Sequence, residues 1–333
     1  EAGPPVRVCF LEIGSGKGNA FMSLHSKSAD LDHSADFPFR LFSGELPEVV
    51  AFDLDDTLIT GDSMLLWHEW LYETGIVPER RWLDVIARML REYHEGRLDM
   101  AASLAELMPA VERFSPEELS VLLERFIDER IVPRIRKEGR ALIAAAQAAG
   151  RSVVIISASS AYIVRPIARR LGIENAADVI GIEMKTVNGR LTGEVEGVMS
   201  FREGKVVRLS EWLAEHRPGV QLAQVFFFTD SANDLPLSLA AGGAAFVNPD
   251  PVLEAAAHER RAPVLFWHSP YDEAERAKTD EAACGQTPNE TLDALEALDD
   301  PDNADDRPDP RAGRFTKFRH PGLVREDDED DDD

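Results

Sequence analysis

Three runs of four apolar residues constrain this 333-residue chain: Val49-Val50-Ala51-Phe52, Val153-Val154-Ile155-Ile156 and Val225-Phe226-Phe227-Phe228. A short run without polar alternation fits a strand covered on both faces, as in the middle of a parallel α/β sheet. Each run stops abruptly in polar residues: Asp53-Leu54-Asp55-Asp56-Thr57, then Ser157-Ala158-Ser159-Ser160, then Thr229-Asp230-Ser231-Ala232-Asn233-Asp234. Ligands of open α/β sheets bind outside the carboxyl ends of the strands, so these stops mark one expected site.

Helical patterns separate the runs. Asp62 or Ser63 can cap a helix that ends at Gly75, and Pro78 opens a second closed by Gly96. A third spans roughly Met100 to Val111, and Ser115-Pro116-Glu117-Glu118 is a capping box that begins a fourth. No strand alternation interrupts this stretch. Trp67, His68 and Trp70 within it read as packing residues. An Ala-rich helix from Arg140 to Ala149 precedes the second run, and Ala161 to Leu171 follows it. Then come a short strand (Val179 to Met184), a hairpin across Asn188-Gly189 and an amphipathic helix from Phe201-Arg202-Glu203-Gly204-Lys205 to about Glu215. Short strands at Ala244–Val247 and Val264–Trp267 flank a last helix near Val252–Arg260. The expected fold is α/β: a doubly wound parallel sheet with an inserted helical cap domain.

The expected division is residues 45–61 and 136–268 for the catalytic core and 62–135 for the helical cap. Residues 1–44 read as an extension and 269–333 as an acidic, mostly disordered tail. Val6 to Asn19 is similar to the strand and Gly-rich loop that open S-adenosylmethionine-dependent methyltransferases, but only about 30 residues separate it from the next strand. The tail holds 22 acidic against 8 basic residues of a chain whose net charge is −25. Such a segment has little to bury, and it would suit a basic partner. The acidic body and the lack of a basic stripe disfavour nucleic acid. No apolar run is long enough to span a bilayer, and no export signal is visible. The two cysteines, Cys9 and Cys284, make no disulfide framework. A cytoplasmic protein is expected.

The polar stops carry the chemistry. Three carboxylates in four positions after an apolar strand repel one another and lose solvation, a cost that a divalent cation relieves. Hard oxygen ligands of this kind suit Mg²⁺. Small hydroxyl residues between a strand and a helix N-terminus make a phosphate seat. Lys205 near a helix start works against the dipole, and a bound anion would explain it. Two acidic strand ends, one phosphate seat and one lysine form a single Mg²⁺ and phosphate site.

These segments, in this order, resemble the haloacid dehalogenase superfamily of phosphohydrolases over about Glu48 to Trp267. The wording FDLDDTLITGDS, FREGKV, FFFTDSANDLPL and VNPDP is similar to its phosphoserine phosphatase-like branch, subfamily IB. The resemblance implies that Asp53 is the nucleophile of an aspartyl-phosphate intermediate and Asp55 the general acid and base. It implies that Thr57 shapes the turn, that Ser157, Ala158 and Lys205 hold the phosphoryl group, and that Asn233 bonds the substrate side. Mg²⁺ would be held by Asp53, Asp230 and the backbone carbonyl of Asp55, with Asp234 behind them.

The resemblance to true phosphoserine phosphatases weakens in the cap. Those enzymes place Glu nine residues after the nucleophile, where this chain has Asp62. Their substrate-carboxylate arginine follows a segment matched here by Gly96, Asp99, Ser103 and Leu104, and its place is taken by Leu107 beside Glu106. A small phosphorylated metabolite bearing an amine, such as histidinol phosphate, suits Asp62 and Glu106 better than phosphoserine does. Alternatives are a phosphoserine phosphatase, a phosphotransferase using the same intermediate, and a non-catalytic binding module whose acidic tail recruits a partner.

Overall fold

A computed structural model of the chain describes residues 47–260 and 262–284. The methyltransferase-like stretch, Cys9 and the acidic run at the C-terminus lie outside the described residues. Seven strands occur among the described residues: β1 (Val49–Phe52), β2 (Ser152–Ser160), β3 (Val179–Val187), β4 (Arg190–Glu196), β5 (Val225–Thr229), β6 (Gly243–Val247) and β7 (Val264–Leu265). They form one sheet in the order β4-β3-β2-β1-β5-β6-β7. Every adjacent pair is parallel except β3 and β4, which make the hairpin expected across Asn188-Gly189.

β1 lies between β2 and β5, with Phe52 level with Ile155 on one side and Phe228 on the other. The chain winds from β1 towards β2 on one side and returns to β5 on the other, so the topological switch point falls between β1 and β5. Side chains alternate across the strand. Val49 and Ala51 join Val154, Ile156, Leu209 and Trp212 in one buried layer. Val50 and Phe52 join Val153, Ile155 and Ile163 in the other. All four β1 residues are at most 2% exposed. Burial of a side chain such as Val or Phe stabilises by roughly 1.5–3 kcal/mol, and this strand takes that gain on both faces.

The helices are α1 (Ser63–Glu73), α2 (Arg81–His94), α3 (Met100–Leu107), α4 (Pro109–Glu112), α5 (Pro116–Phe126), α6 (Lys137–Ala148), α7 (Ala161–Arg170), α8 (Glu203–His216), α9 (Leu235–Ala240), α10 (Pro251–Arg260) and α11 (Pro270–Cys284). α1 to α5 form the insertion after β1. Asp62 caps α1 through Leu65 N–H, and Ser115 and Glu118 complete the capping box of α5. The insertion ends in a π-helical turn, Ile127–Ile131, and a short 3₁₀ turn with Pro133, which has no N–H to continue a helix. The chain then pairs with the segment where it left: Ile59 bridges Ile135, and Thr60 N–H donates to Arg134 O at 2.9 Å. No helix of the described residues is long and apolar enough to cross a membrane.

Three features differ from the sequence expectation. β2 runs through Ser157 to Ser160 instead of stopping at Ile156, and its pairing with β3 shifts register between Ile156 and Ser160. β3 continues to Val187, so the short strand and the hairpin are one element. The tail expected from residue 269 instead opens with α11, whose first turn is capped by Ser269 and Asp272: Ser269 N–H donates to Asp272 Oδ2 at 2.8 Å and Asp272 N–H to Ser269 Oγ at 3.2 Å.

Candidate active site

Asp53 follows the last residue of β1, and its N–H donates to Phe228 O of β5 at 2.8 Å, so it stands at the switch point. Lys205, in the first turn of α8, is 1% exposed and donates through Nζ to Asp53 Oδ1 at 2.8 Å and to Asp234 Oδ2 at 2.6 Å. These two carboxylates explain a lysine at a helix start. A buried ammonium on its own would lose its proton, but its two acidic partners outweigh burial and hold it charged. Asp234 is fixed in turn by Thr229 Oγ1, which donates at 2.8 Å. Burial pushes the Asp53 carboxyl up to about 7; Lys205 opposes that rise, and Asp234 and Asp55 add to it.

Asp55 belongs to a hydroxyl cluster at the end of β2. Its Oδ2 accepts from Ser159 Oγ at 2.7 Å and from Ser157 Oγ at 3.2 Å, and its Oδ1 accepts from Ser63 N–H at 2.7 Å. Ser157 Oγ also accepts Ser159 N–H at 3.0 Å. Burial raises the Asp55 carboxyl above the usual carboxylate range against the pull of these donors. Ala158 is half-buried between the two serines. The sequence reading took Ser159 only as part of the hydroxyl run and Ser63 only as a helix cap; both bond Asp55. Ser159 was findable, because positions two apart on a strand face the same way.

The third acidic position is Asp230, which accepts from Thr57 Oγ1 at 2.9 Å. Burial, then the charges of Asp56 and Asp53, hold its carboxyl well above the ordinary range. Asp56 has φ +51°, a left-handed conformation that Asp tolerates, and its Oδ1 accepts Gly61 N–H at 2.9 Å to close the acidic turn.

On the insertion side the residues are less concentrated. Asp62 is half-buried at the N-terminus of α1, and burial followed by the neighbouring Asp55 charge pushes it up to about 8. Leu107 is 0% exposed and belongs to the core, so no group at that position faces a ligand. Glu106 is exposed and paired with Arg88. Trp67, His68 and Trp70 are buried, the two indoles stacked at 5.6 Å. Asn233 does not stand alone: its Oδ1 accepts from Arg202 Nε at 3.1 Å, and its Nδ2 donates to Tyr93 O at 3.4 Å.

No group of three or more His, Cys, Asp or Glu side chains gathered to hold a metal ion occurs among the described residues. The donor set still fits a hard divalent cation of the Mg²⁺ type, which keeps several waters and takes one or two carboxylates. Among the described residues the Asp55 carboxyl accepts three hydrogen bonds and that of Asp234 two, whereas Asp53 and Asp230, just past the adjacent strands β1 and β5, accept one each and are the carboxylates at hand. Burial holds both carboxyls above the usual carboxylate range; Lys205 opposes the rise at Asp53, and the charges of Asp56 and Asp53 add to it at Asp230.

Comparison with known proteins agrees with this arrangement. The profile of the haloacid dehalogenase-like hydrolases matches residues 50–238. A histidinol-phosphatase of Neisseria meningitidis is 36% identical over 222 residues, which is 66% of this chain and 99% of that protein. A phosphoserine phosphatase of Mycobacterium tuberculosis is 30% identical over 219 residues, 65% of this chain and 70% of that one. The crystal structure of a Bordetella pertussis protein of unknown function superimposes with a TM-score of 0.60 at 31% identity, covering 66% of this chain and 99% of the other. The chain therefore belongs to the haloacid dehalogenase-like hydrolase family.

Proposed function

We propose that the chain is a Mg²⁺-dependent phosphatase that hydrolyses a small phosphomonoester through an aspartyl-phosphate on Asp53. The observation that carries this reading is the Asp53–Lys205–Asp234 arrangement at the switch point, where a carboxylate is held in place by a buried, charged lysine. Asp53 and Asp230 would hold the Mg²⁺, which offsets phosphoryl charge when bound. One Asp53 oxygen attacks phosphorus; the new O–P bond forms as the bond to the leaving alkoxide breaks, and Asp55 gives that alkoxide its proton. Asp55 then takes a proton from the water that attacks the aspartyl-phosphate, releasing inorganic phosphate and the Asp53 carboxylate. The raised affinity of Asp55 for a proton suits the donor role. Ser157, the adjoining Ala158 backbone and Lys205 hold the phosphoryl oxygens, the larger part of catalysis in phosphoryl transfer.

The substrate we favour is an amino-alcohol phosphate such as histidinol phosphate. Its amine would be met by Asp62, with the insertion acting as the cap. The name of the Neisseria relative supports this, and so does the buried Leu107 at the position where phosphoserine enzymes need a cation. Glu106, paired with Arg88, is dropped from this role.

The test is hydrolysis of an aryl phosphate with and without Mg²⁺ by the wild type and Asp53→Asn, followed by histidinol phosphate and phosphoserine. The expected result is metal-dependent turnover lost by at least about a thousandfold in the variant, with preference for histidinol phosphate. Turnover that survives the substitution removes Asp53 as nucleophile. Preference for phosphoserine removes the substrate assignment. Phosphate appearing on an added alcohol instead of in solution would make the chain a phosphotransferase.

A further inference from the structure

Arg202 stands three residues before Lys205 in a conformation that disfavours side chains. Its φ is +52° and ψ −124°, and Gly204 N–H donates to Phe201 O at 2.9 Å. That is the first central position of a type II′ turn, where glycine is the ordinary occupant. The side chain that accepts this strain reaches two other segments. Nη2 donates to Gly96 O at 2.8 Å, just past the C-terminus of α2, and Nε donates to Asn233 Oδ1 at 3.1 Å. The guanidinium also lies over the Phe201 ring at 4.8 Å, and that ring packs on Tyr93 at 5.8 Å.

Two more bonds run along the same seam. Asn233 Nδ2 donates to Tyr93 O at 3.4 Å, and Tyr93 Oη to Ser231 Oγ at 3.3 Å. Gly96 itself has φ +69°, the left-handed turn that lets its carbonyl face Arg202 as α2 ends. The end of α2 in the insertion is thus stitched to the loop that carries Asp230 and Asp234. Arg202 bonds both, from the turn that leads to Lys205. A planar fork can serve two acceptors on separate segments; an ammonium is a single point donor.

We propose that Arg202 is a positioning residue of the phosphatase: it sets the end of α2 against the Asp230–Asp234 loop and orients the Asn233 amide, and the strained turn persists for that purpose. The inference rests on the phosphatase reading above. Strained backbone held at a functional site predicts that relieving the strain favours stability and harms activity.

The experiment compares the wild type with Arg202→Gly and Arg202→Lys in the full chain, measuring kcat/KM on an aryl phosphate, the melting temperature, and amide hydrogen exchange over Tyr93–Leu98. Arg202→Gly is expected to melt at or above the wild-type temperature while kcat/KM falls about ten- to a hundredfold. Its Tyr93–Leu98 amides should exchange faster. Arg202→Lys should stay impaired, because it keeps the charge and the strain but loses the fork. Activity of Arg202→Gly within twofold of wild type overturns the proposal, as does a fully active Arg202→Lys. Activity and melting temperature falling together would make Arg202 a structural residue only. If the wild type has no activity, the phosphatase reading fails by itself; exchange then decides the contact, faster in Arg202→Gly upholding it and unchanged overturning it.

Discussion

The two sides of the proposed site are built differently. The proposed phosphate side is made of residues at strand ends, Asp53 after β1, the serines of β2 and Asp230 after β5, with Lys205 of α8 buried beneath them. The strand-end residues are fixed by a backbone that the sheet already fixes, and Lys205 of α8 by its bonds to Asp53 and Asp234. The insertion side is made of helix ends: Asp62 capping α1, and Tyr93 and Gly96 at the end of α2. Asp62 is held locally through Leu65 N–H, and Tyr93 and Gly96 by contacts with segments far apart in the chain. In the proposed reading, chemistry sits where the sheet fixes the backbone, and recognition sits on helix ends of an insertion whose core is continuous with that of the sheet.

The contrast can be broken most sharply at Lys205. Lys205→Met would leave Asp53 and Asp234 buried without their cation, and we expect a loss of about 3–5 kcal/mol in chemical denaturation together with loss of aryl phosphate turnover. Unchanged stability would mean that the phosphate side is not the rigid one.

A second test concerns the insertion. His68 is buried on α1, its Nδ1 bonds Met64 O at 2.8 Å, its Nε2 has no hydrogen-bond partner among the described residues, and burial lowers its pKa to about 4. The folded form therefore binds the proton less readily than the unfolded chain does. Stability from this group is complete above about pH 6.5 and declines as the pH falls towards 4, by up to about 3 kcal/mol. Denaturation across that range should show the decline in the wild type and lack this part of it in His68→Phe.

A smaller effect separates recognition from catalysis. Asn caps a helix as well as Asp does, so Asp62→Asn should leave the melting temperature nearly unchanged. It should raise KM for an amine-bearing phosphate about tenfold and leave the aryl phosphate unaffected. Equal effects on both substrates would place Asp62 on the phosphate side. The smallest change is expected from Ser115→Ala, which removes the cap of α5 and should cost about 1 kcal/mol in thermal unfolding with kcat unchanged.

The same contrast governs what the sequence disclosed. The apolar strand runs and their polar stops are local signals, so the sheet, the insertion and the acidic positions were legible from them. The extension of β2 through Ser157–Ser160 was not, because serine is a weak strand former and pairing with β3 decides it. Lys205 hinted at a nearby anion, but its partners lie 152 and 29 residues away and only the fold joins them. Arg202 carries no signal at all, since its φ comes from the turn it occupies. α11 was legible after a fashion: Ser269-Pro270-Tyr271-Asp272 repeats the logic of Ser115-Pro116-Glu117-Glu118, hidden by an acid-rich composition.

That capped turn reaches back to the acidic turn after β1. Thr60, on the return arm of the acidic turn, lies 3.0 Å from Ser269 Oγ and donates to Asp272 Oδ2 at 2.9 Å. The family match ends at residue 238, so these contacts to the acidic turn come from beyond the matched residues. Cutting the polypeptide after Trp267, where the sheet is already complete, would keep every strand and every proposed catalytic side chain yet leave Thr60 facing solvent. The practical edge of this enzyme domain is therefore drawn by a threonine's partners, one helical turn beyond the last strand.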